Sequence, residues 1–129
     1  MKLIVDTQVF LWWLVDDPAL SGRARGIMRD AGNTLYLSAV SAWEIAIKAA
    51  LGRLELSGEP TLVIPEQMAA NSIEPLPVQI SHALHVYSLP AHHRDPFDRM
   101  LVAQSQIEGL PILTSDVRIG KYDVEVVLN

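Results

Sequence analysis

Apolar and polar positions follow two regimes along this chain. The runs "KLIVD", "TLYLS" and "LPILTSD" are short, nearly continuous in apolar residues and rich in β-branched ones, as expected of strands buried on both faces. Longer segments with helical punctuation lie between them. "TQVFLWWLVDD" predicts a helix stopped by "DDP", and "SGRARGIMRDAG" a second, with Ser21 as N-cap and Gly32 as C-cap. "AVSAWEIAIKAALG" predicts a third, closed by Gly52. "TLVIPEQMAANS" reads as a helix with Pro65 in its early turns, "IEPLPV" as a short strand whose prolines place it at an edge, and "SHALHVYSL" as a helix. In "DPFDRMLVAQSQIEG", Asp95 takes the N-cap, Pro96 the first helical position and Gly109 the stop. "VEVVL" supplies a last strand.

Strands alternating with helices imply an α/β architecture, a parallel sheet covered on both faces. In such sheets function gathers at the carboxyl ends of the strands, near a topological switch. The 129 residues fit one domain, residues 1–129, with no internal repeat or long linker.

Composition narrows the class of function. No apolar run is long enough to cross a bilayer, because Lys2, Asp6, Asp16 and Asp17 interrupt the first one. The start "MKLIVDTQVF" lacks a small-residue cleavage site, and there is no cysteine, so a cytoplasmic protein is expected. The formal net charge of −5 argues against a passive nucleic-acid coat, whose affinity comes from basic residues. It leaves open an enzyme that reaches phosphate through bound cations.

Four acids stand where the architecture concentrates chemistry. Asp6 closes the first strand, where it could also cap the following helix. Glu44 sits one turn into the helix after the second strand, and an ion pair with Lys48 is its ordinary alternative. Asp98 is at the third helical position behind Asp95, where it would also suit the helix dipole. Asp116 ends "PILTSD", where a cap or turn role is the alternative, with the hydroxyls of Thr114 and Ser115 beside it. Like charges converging on one crevice repel unless cations neutralise them or some protonate. All-oxygen ligation suits Mg²⁺ or Mn²⁺.

In this order, "LIVDTQVFLWWL", "SAVSAWEIAIK", "DPFDRMLVAQS" and "LPILTSD" resemble the PIN domain, and within it the VapC-type toxins of bacterial toxin–antitoxin pairs. The resemblance covers essentially the whole chain, and its "DPFDRMLVAQ" form is the most specific part. It implies a PIN-like three-layer α/β/α fold around a mainly parallel sheet of about five strands. It further implies a metal-binding, catalytic quartet of Asp6, Glu44, Asp98 and Asp116 in an endoribonuclease acting on RNA. A cognate VapB-type antitoxin and a homodimer are the implied partners. Asp6, Asp98 and Asp116 are expected to hold the main ion, and Glu44 a second ion or the attacking water. One ion or two is left open.

Other residues carry candidate roles beside simpler structural ones. Arg94 and Arg99 are candidates to grip RNA phosphates, although Arg99 could equally balance neighbouring acids. His92 and His93 could touch substrate or relay protons, with solvated loop positions as the simpler expectation. Ser115 fits the hydroxyl that the family frequently carries beside the last acid. The set His82, His85, His92 and His93 matches no zinc-ligand spacing. Trp12 and Trp13 are consecutive, so one helix face cannot bury both. They are candidates for the antitoxin groove, with core packing of one ring as the alternative.

Two other functions use similar features. A catalytically silent PIN-like interaction module would share the fold without turnover. A phosphoacceptor receiver domain would need an acidic pair at the end of the first strand and an Asp ending a middle strand, and the sequence offers neither.

Overall fold

The computed structural model describes residues 1–129. Five strands form one sheet: β1 (Lys2–Val5), β2 (Thr34–Ser38), β3 (Ile73–Leu76), β4 (Ile112–Thr114) and β5 (Val126–Leu128). Every pairing is parallel, in the order β3-β2-β1-β4-β5. The helices are α1 (Thr7–Val15), α2 (Gly22–Arg29), α3 (Ala39–Ala50), α4 (Pro60–Ala70), α5 (Ile80–His85) and α6 (Pro96–Glu108).

Burial of β1 explains why its sequence carries no alternation. Leu3 and Val5 join a core cluster with Val9 and Phe10 of α1, Met28 of α2 and Ile64 of α4. Ile4 joins a second cluster with Leu101 and Val102 of α6, Ile112 and Tyr122. Successive strand residues face opposite sides, so both faces of the central strand are covered. These are the three layers expected from the sequence. The prolines of "IEPLPV" accompany β3 at one edge, where a missing amide costs least.

The strand order also fixes where a site can form. The chain runs outward from β1 to β3, then returns across the sheet to add β4 on the other side of β1. The carboxyl end of β1 is therefore flanked by strands whose connections depart in opposite directions, the crevice where such sheets bind ligands. Helix α6 begins at this point. Asp95 caps it by accepting from the amides of Phe97 (2.8 Å) and Asp98 (3.4 Å), Pro96 is its first residue, and Gly109 ends it in the left-handed region at φ 68°.

Two local expectations need correction. Helix α2 ends at Arg29 with Asp30, not Gly32, as its C-cap; the Asp30 carboxylate accepts from the Gly32 amide at 2.8 Å and makes a side-chain turn there. The segment "SHALHVYSL" is helical only to His85 and then tightens into a 3₁₀ turn, Val86–Ser88, before Pro90.

Candidate metal centre

The four acids meet. Asp6, Glu44, Asp98 and Asp116 line one pocket of about 420 Å³ at the carboxyl edge of the sheet, together with Lys48, Asp95 and Ser115. They come from the end of β1, the middle of α3, the first turn of α6 and the loop after β4. A fold that alternates strands and helices places these points on one rim although they are far apart in sequence.

Asp6 holds the N-cap position of α1 but does not cap it with its side chain. Its Oδ2 instead accepts from the Thr114 hydroxyl at 2.7 Å, across β1 and β4. The carboxyl is buried, and that burial, with the charges of Glu44 and Asp116, raises its pKa against the lowering effect of Thr114. Glu44 is buried as well, and its Oε2 accepts from Lys48 Nζ at 2.5 Å. The ion pair anticipated as an alternative to pocket chemistry exists, yet it sits inside the pocket and not on a solvated face. Lys48 has its pKa raised chiefly by that hydrogen bond.

Asp98 and Asp116 titrate in opposite directions. Burial pushes the Asp98 carboxyl up to about 8, aided by the negative charges of Asp6, Asp95, Glu44 and Asp116. For Asp116, burial also works upward, but hydrogen bonds from Arg118 and His93 outweigh it and hold the group down at about 2. Arg118 donates to Asp116 through its backbone amide (2.9 Å), Nε (3.1 Å) and Nη2 (3.1 Å).

His93 corrects the expectation of a solvated loop histidine. It is 6% exposed, and its Nε2 stands 2.9 Å from Asp116 Oδ2 and 3.0 Å from Asp98 Oδ2. Its neighbour His92 is exposed and sets its ring edge against Tyr122, with centroids 5.0 Å apart. The other two histidines are engaged elsewhere, His82 Nε2 with Glu108 at 2.8 Å and His85 Nε2 with Gln106 at 2.7 Å. The four rings therefore do not share a centre.

Arg99 does not enter the pocket. Its guanidinium donates to the carbonyls of Pro90 (2.9 Å), Val86 (3.2 Å) and Leu89 (3.3 Å) and to the Tyr122 hydroxyl (3.1 Å), and has no carboxylate partner. No ion pair with a neighbouring acid forms; these bonds fasten the loop before α6. Arg94 is exposed and lies outside the pocket lining. Ser115 lines the pocket from an exposed position, while the hydroxyl that touches an acid belongs to Thr114. Trp12 and Trp13 are both half-buried against the core, and Trp13 Nε1 donates to Asn71 Oδ1 at 3.0 Å.

Sequence reading passed over Arg118, gave His93 a solvated loop position as its simpler expectation, and did not place Lys48 in the pocket. Lys48 was visible as the i+4 partner of Glu44. Arg118 had a signal in its place two residues after Asp116, the spacing of a side-chain turn.

The donor set fits hard divalent cations. Its carboxylates supply oxygen ligands, and beside burial the neighbouring carboxylates Asp6, Asp95, Glu44 and Asp116 help to raise the pKa of Asp98. Residues 3–125 match the family model of the PIN domain. The chain belongs to the PIN domain family. It is 39% identical over 61 residues to the protein named Ribonuclease VapC16 of Mycobacterium tuberculosis; that stretch is 47% of this chain and 43% of that protein, so the match spans less than half of either. A chain of the DNA-bound VapBC from Salmonella typhimurium superposes with a TM-score of 0.73 at 17% identity, covering 99% of this PIN domain chain and 98% of that one. VapBC2 from Rickettsia felis, bound to a DNA fragment from its promoter, gives 0.72 at 9% identity, with coverage of 99% and 98%. At such identities the likeness is one of fold. No helix of this PIN domain chain is long and apolar enough to cross a membrane.

Proposed function

We propose that this PIN domain chain is a divalent-metal-dependent endoribonuclease, a VapC-type toxin that hydrolyses RNA phosphodiester bonds in the cytoplasm and is neutralised by a VapB-type antitoxin. One observation carries the reading: Asp6, Glu44, Asp98 and Asp116 line a single pocket at the switch point of the sheet. The similarity to a protein named a ribonuclease supports the choice of substrate.

Asp6, Asp98 and Asp116 would hold the ion, Mg²⁺ or Mn²⁺, with Glu44 serving a second ion or orienting water. A divalent ion there supplies positive charge beside the phosphate and acidifies a water molecule. The chain's own residues do the rest. Thr114 fixes one oxygen of Asp6, and Arg118, exposed at the rim beside Asp116, can exchange carboxylate for phosphate oxygens. Lys48, partly exposed over Glu44, offers a second cation to the substrate. Trp12 and Trp13, each half-exposed, are the candidate anchors for the antitoxin, and a homodimer is the expected assembly.

The test is cleavage of RNA by purified protein with Mg²⁺ or Mn²⁺, with EDTA, and with Asp98→Asn. Cleavage that needs the ion and drops at least about 100-fold in the variant supports the assignment. Metal-independent cleavage, or full activity of Asp98→Asn, would refute it.

A further inference from the structure

We propose that His93 is a positioning residue of the metal centre, a hydrogen-bond donor to Asp116 that also holds Asp98 in close contact, and not one of the ligands. The proposal rests on the metal-centre reading above. Its geometric basis is independent of any ion.

The opposite assignment has an evident attraction. One potential ligand atom each from His93, Asp98 and Asp116 lie within 4.8 Å of one another, a spacing that could surround a cation. A histidine nitrogen ligates only through a free lone pair, so the position of the ring proton decides the matter. The backbone amide of Asp95 donates to His93 Nδ1 at 3.1 Å. That bond occupies the Nδ1 lone pair and puts the proton of the neutral ring on Nε2, facing both carboxylates.

Ligation through Nε2 would require the proton to move to Nδ1. There it would oppose the Asp95 amide, and that amide would lose its acceptor. The loss would fall on the N-cap residue of α6, whose side chain already serves Phe97 and Asp98. The ring is held in place from outside the pocket too. The His93 amide donates to the Tyr122 hydroxyl at 2.9 Å, and Arg99 donates to the same hydroxyl at 3.1 Å.

The donor's effect follows from its reach. Asp98 comes from α6 and Asp116 from the loop after β4, and both are acids that repel each other. The Nε2–H donates to Asp116 Oδ2 at 2.9 Å, and with Asp98 Oδ2 only 3.0 Å from the same nitrogen the ring holds the two carboxylates on a common side. It thereby prepares the spacing that a cation needs. The arrangement also explains why the motif places a histidine two residues before Asp95. From there the ring can accept from the helix cap and donate to the pocket at the same time.

Three measurements on the full chain test this. In the metal-free protein, side-chain ¹⁵N NMR should find the Nε2–H tautomer for His93, unchanged when Mg²⁺ is added; an Nδ1–H tautomer overturns the proposal. Mn²⁺ titration should give binding weakened about 10- to 100-fold in His93→Ala and largely restored in His93→Gln, whose amide N–H can reach the Nε2 position. Pulsed EPR of bound Mn²⁺ should show no directly coordinated nitrogen, and a nitrogen coupling that disappears in His93→Gln overturns the proposal. Equal affinity of wild type and His93→Ala would overturn the positioning role alone. A wild-type protein that takes up no Mn²⁺ would sink the metal centre itself.

Discussion

Thr114 links two acids that lie on either side of it in the fold. Its hydroxyl donates to Asp6 Oδ2 at 2.7 Å and accepts from the Asp116 amide at 3.0 Å, and its side chain is wholly buried. One oxygen thus spans the ends of β1 and β4 and fixes the relative positions of two proposed ligands.

Thr114→Val keeps the shape and removes both bonds. A buried carboxyl and a backbone amide would be left without partners, which costs about 1–3 kcal/mol for each group so stranded. Urea denaturation should register a loss of about 2–6 kcal/mol for the two together, and Mn²⁺ titration a weaker site. Ser115→Ala, at an exposed neighbour, should leave stability within about 0.5 kcal/mol of wild type. Equal stability of Thr114→Val and wild type would show that the hydroxyl contributes little.

Stability in the absence of metal should fall as pH rises through the neutral range. Asp98 keeps its proton to about pH 8 in the fold, whereas an unfolded Asp releases it near 4. Its favourable contribution is therefore complete below about pH 4 and is lost as pH rises through about 8. Asp116, held at about 2, behaves in the opposite sense: its contribution is present above about pH 4 and lost as pH falls toward 2. Thermal melting in EDTA between about pH 6 and 9 should show the first effect, and Asp98→Asn should flatten it. Divalent cations should raise the melting temperature most at the alkaline end, because they bind the ionised carboxylate. A metal-free melting temperature that climbs through this range would contradict the assigned shift.

Much of this was legible because local chemistry announced it. Asp95, Pro96 and Gly109 mark both ends of α6, and Asp6 and Asp116 follow short apolar strands whose ends are easily read. The parallel sheet then brings the acids together as a consequence of topology. His93 was not legible. A histidine beside another histidine in a polar loop gives no sign of burial; its environment is created by Tyr122 and Asp116, more than 20 residues later in the chain. The loop-fastening bonds of Arg99 were hidden for a related reason. Its helix position brings it near the acids, but the loop carbonyls it satisfies become neighbours only after the chain turns back at Val86–Ser88.

The two arginines of the motif should respond differently to removal. Arg99→Ala strips hydrogen-bond partners from the carbonyls of Val86, Leu89 and Pro90, so it should cost about 1–3 kcal/mol and lower the melting temperature. Arg99→Lys should recover only part, because an ammonium cannot reproduce a planar fork that reaches several acceptors. Arg94→Ala should leave stability within about 0.5 kcal/mol of wild type. If Arg94 meets RNA phosphate, its loss should raise KM and reduce the salt dependence of KM while leaving kcat intact. A stability loss at Arg94 equal to that at Arg99 would mean the two side chains have been assigned wrongly.

Lys48 sets the charge of the pocket, and its replacement should move two observables in opposite directions. Its ammonium contacts Glu44 at 2.5 Å, where the carboxylate is buried and the lysine half-exposed. Lys48→Gln leaves the carboxylate with at most a neutral donor, so the metal-free protein should lose stability at neutral pH. The same substitution makes the pocket more negative by one charge, in a place where Asp95 and Asp98 also feel that lysine. Divalent cations should then bind several-fold more tightly, since one competing positive charge has gone. Calorimetric titration with Mn²⁺ and thermal melting in EDTA separate the two effects. Weaker Mn²⁺ binding in Lys48→Gln would mean that the lysine holds Glu44 in its ligating position, and would overturn the view that it acts as a countercharge displaced by the ion.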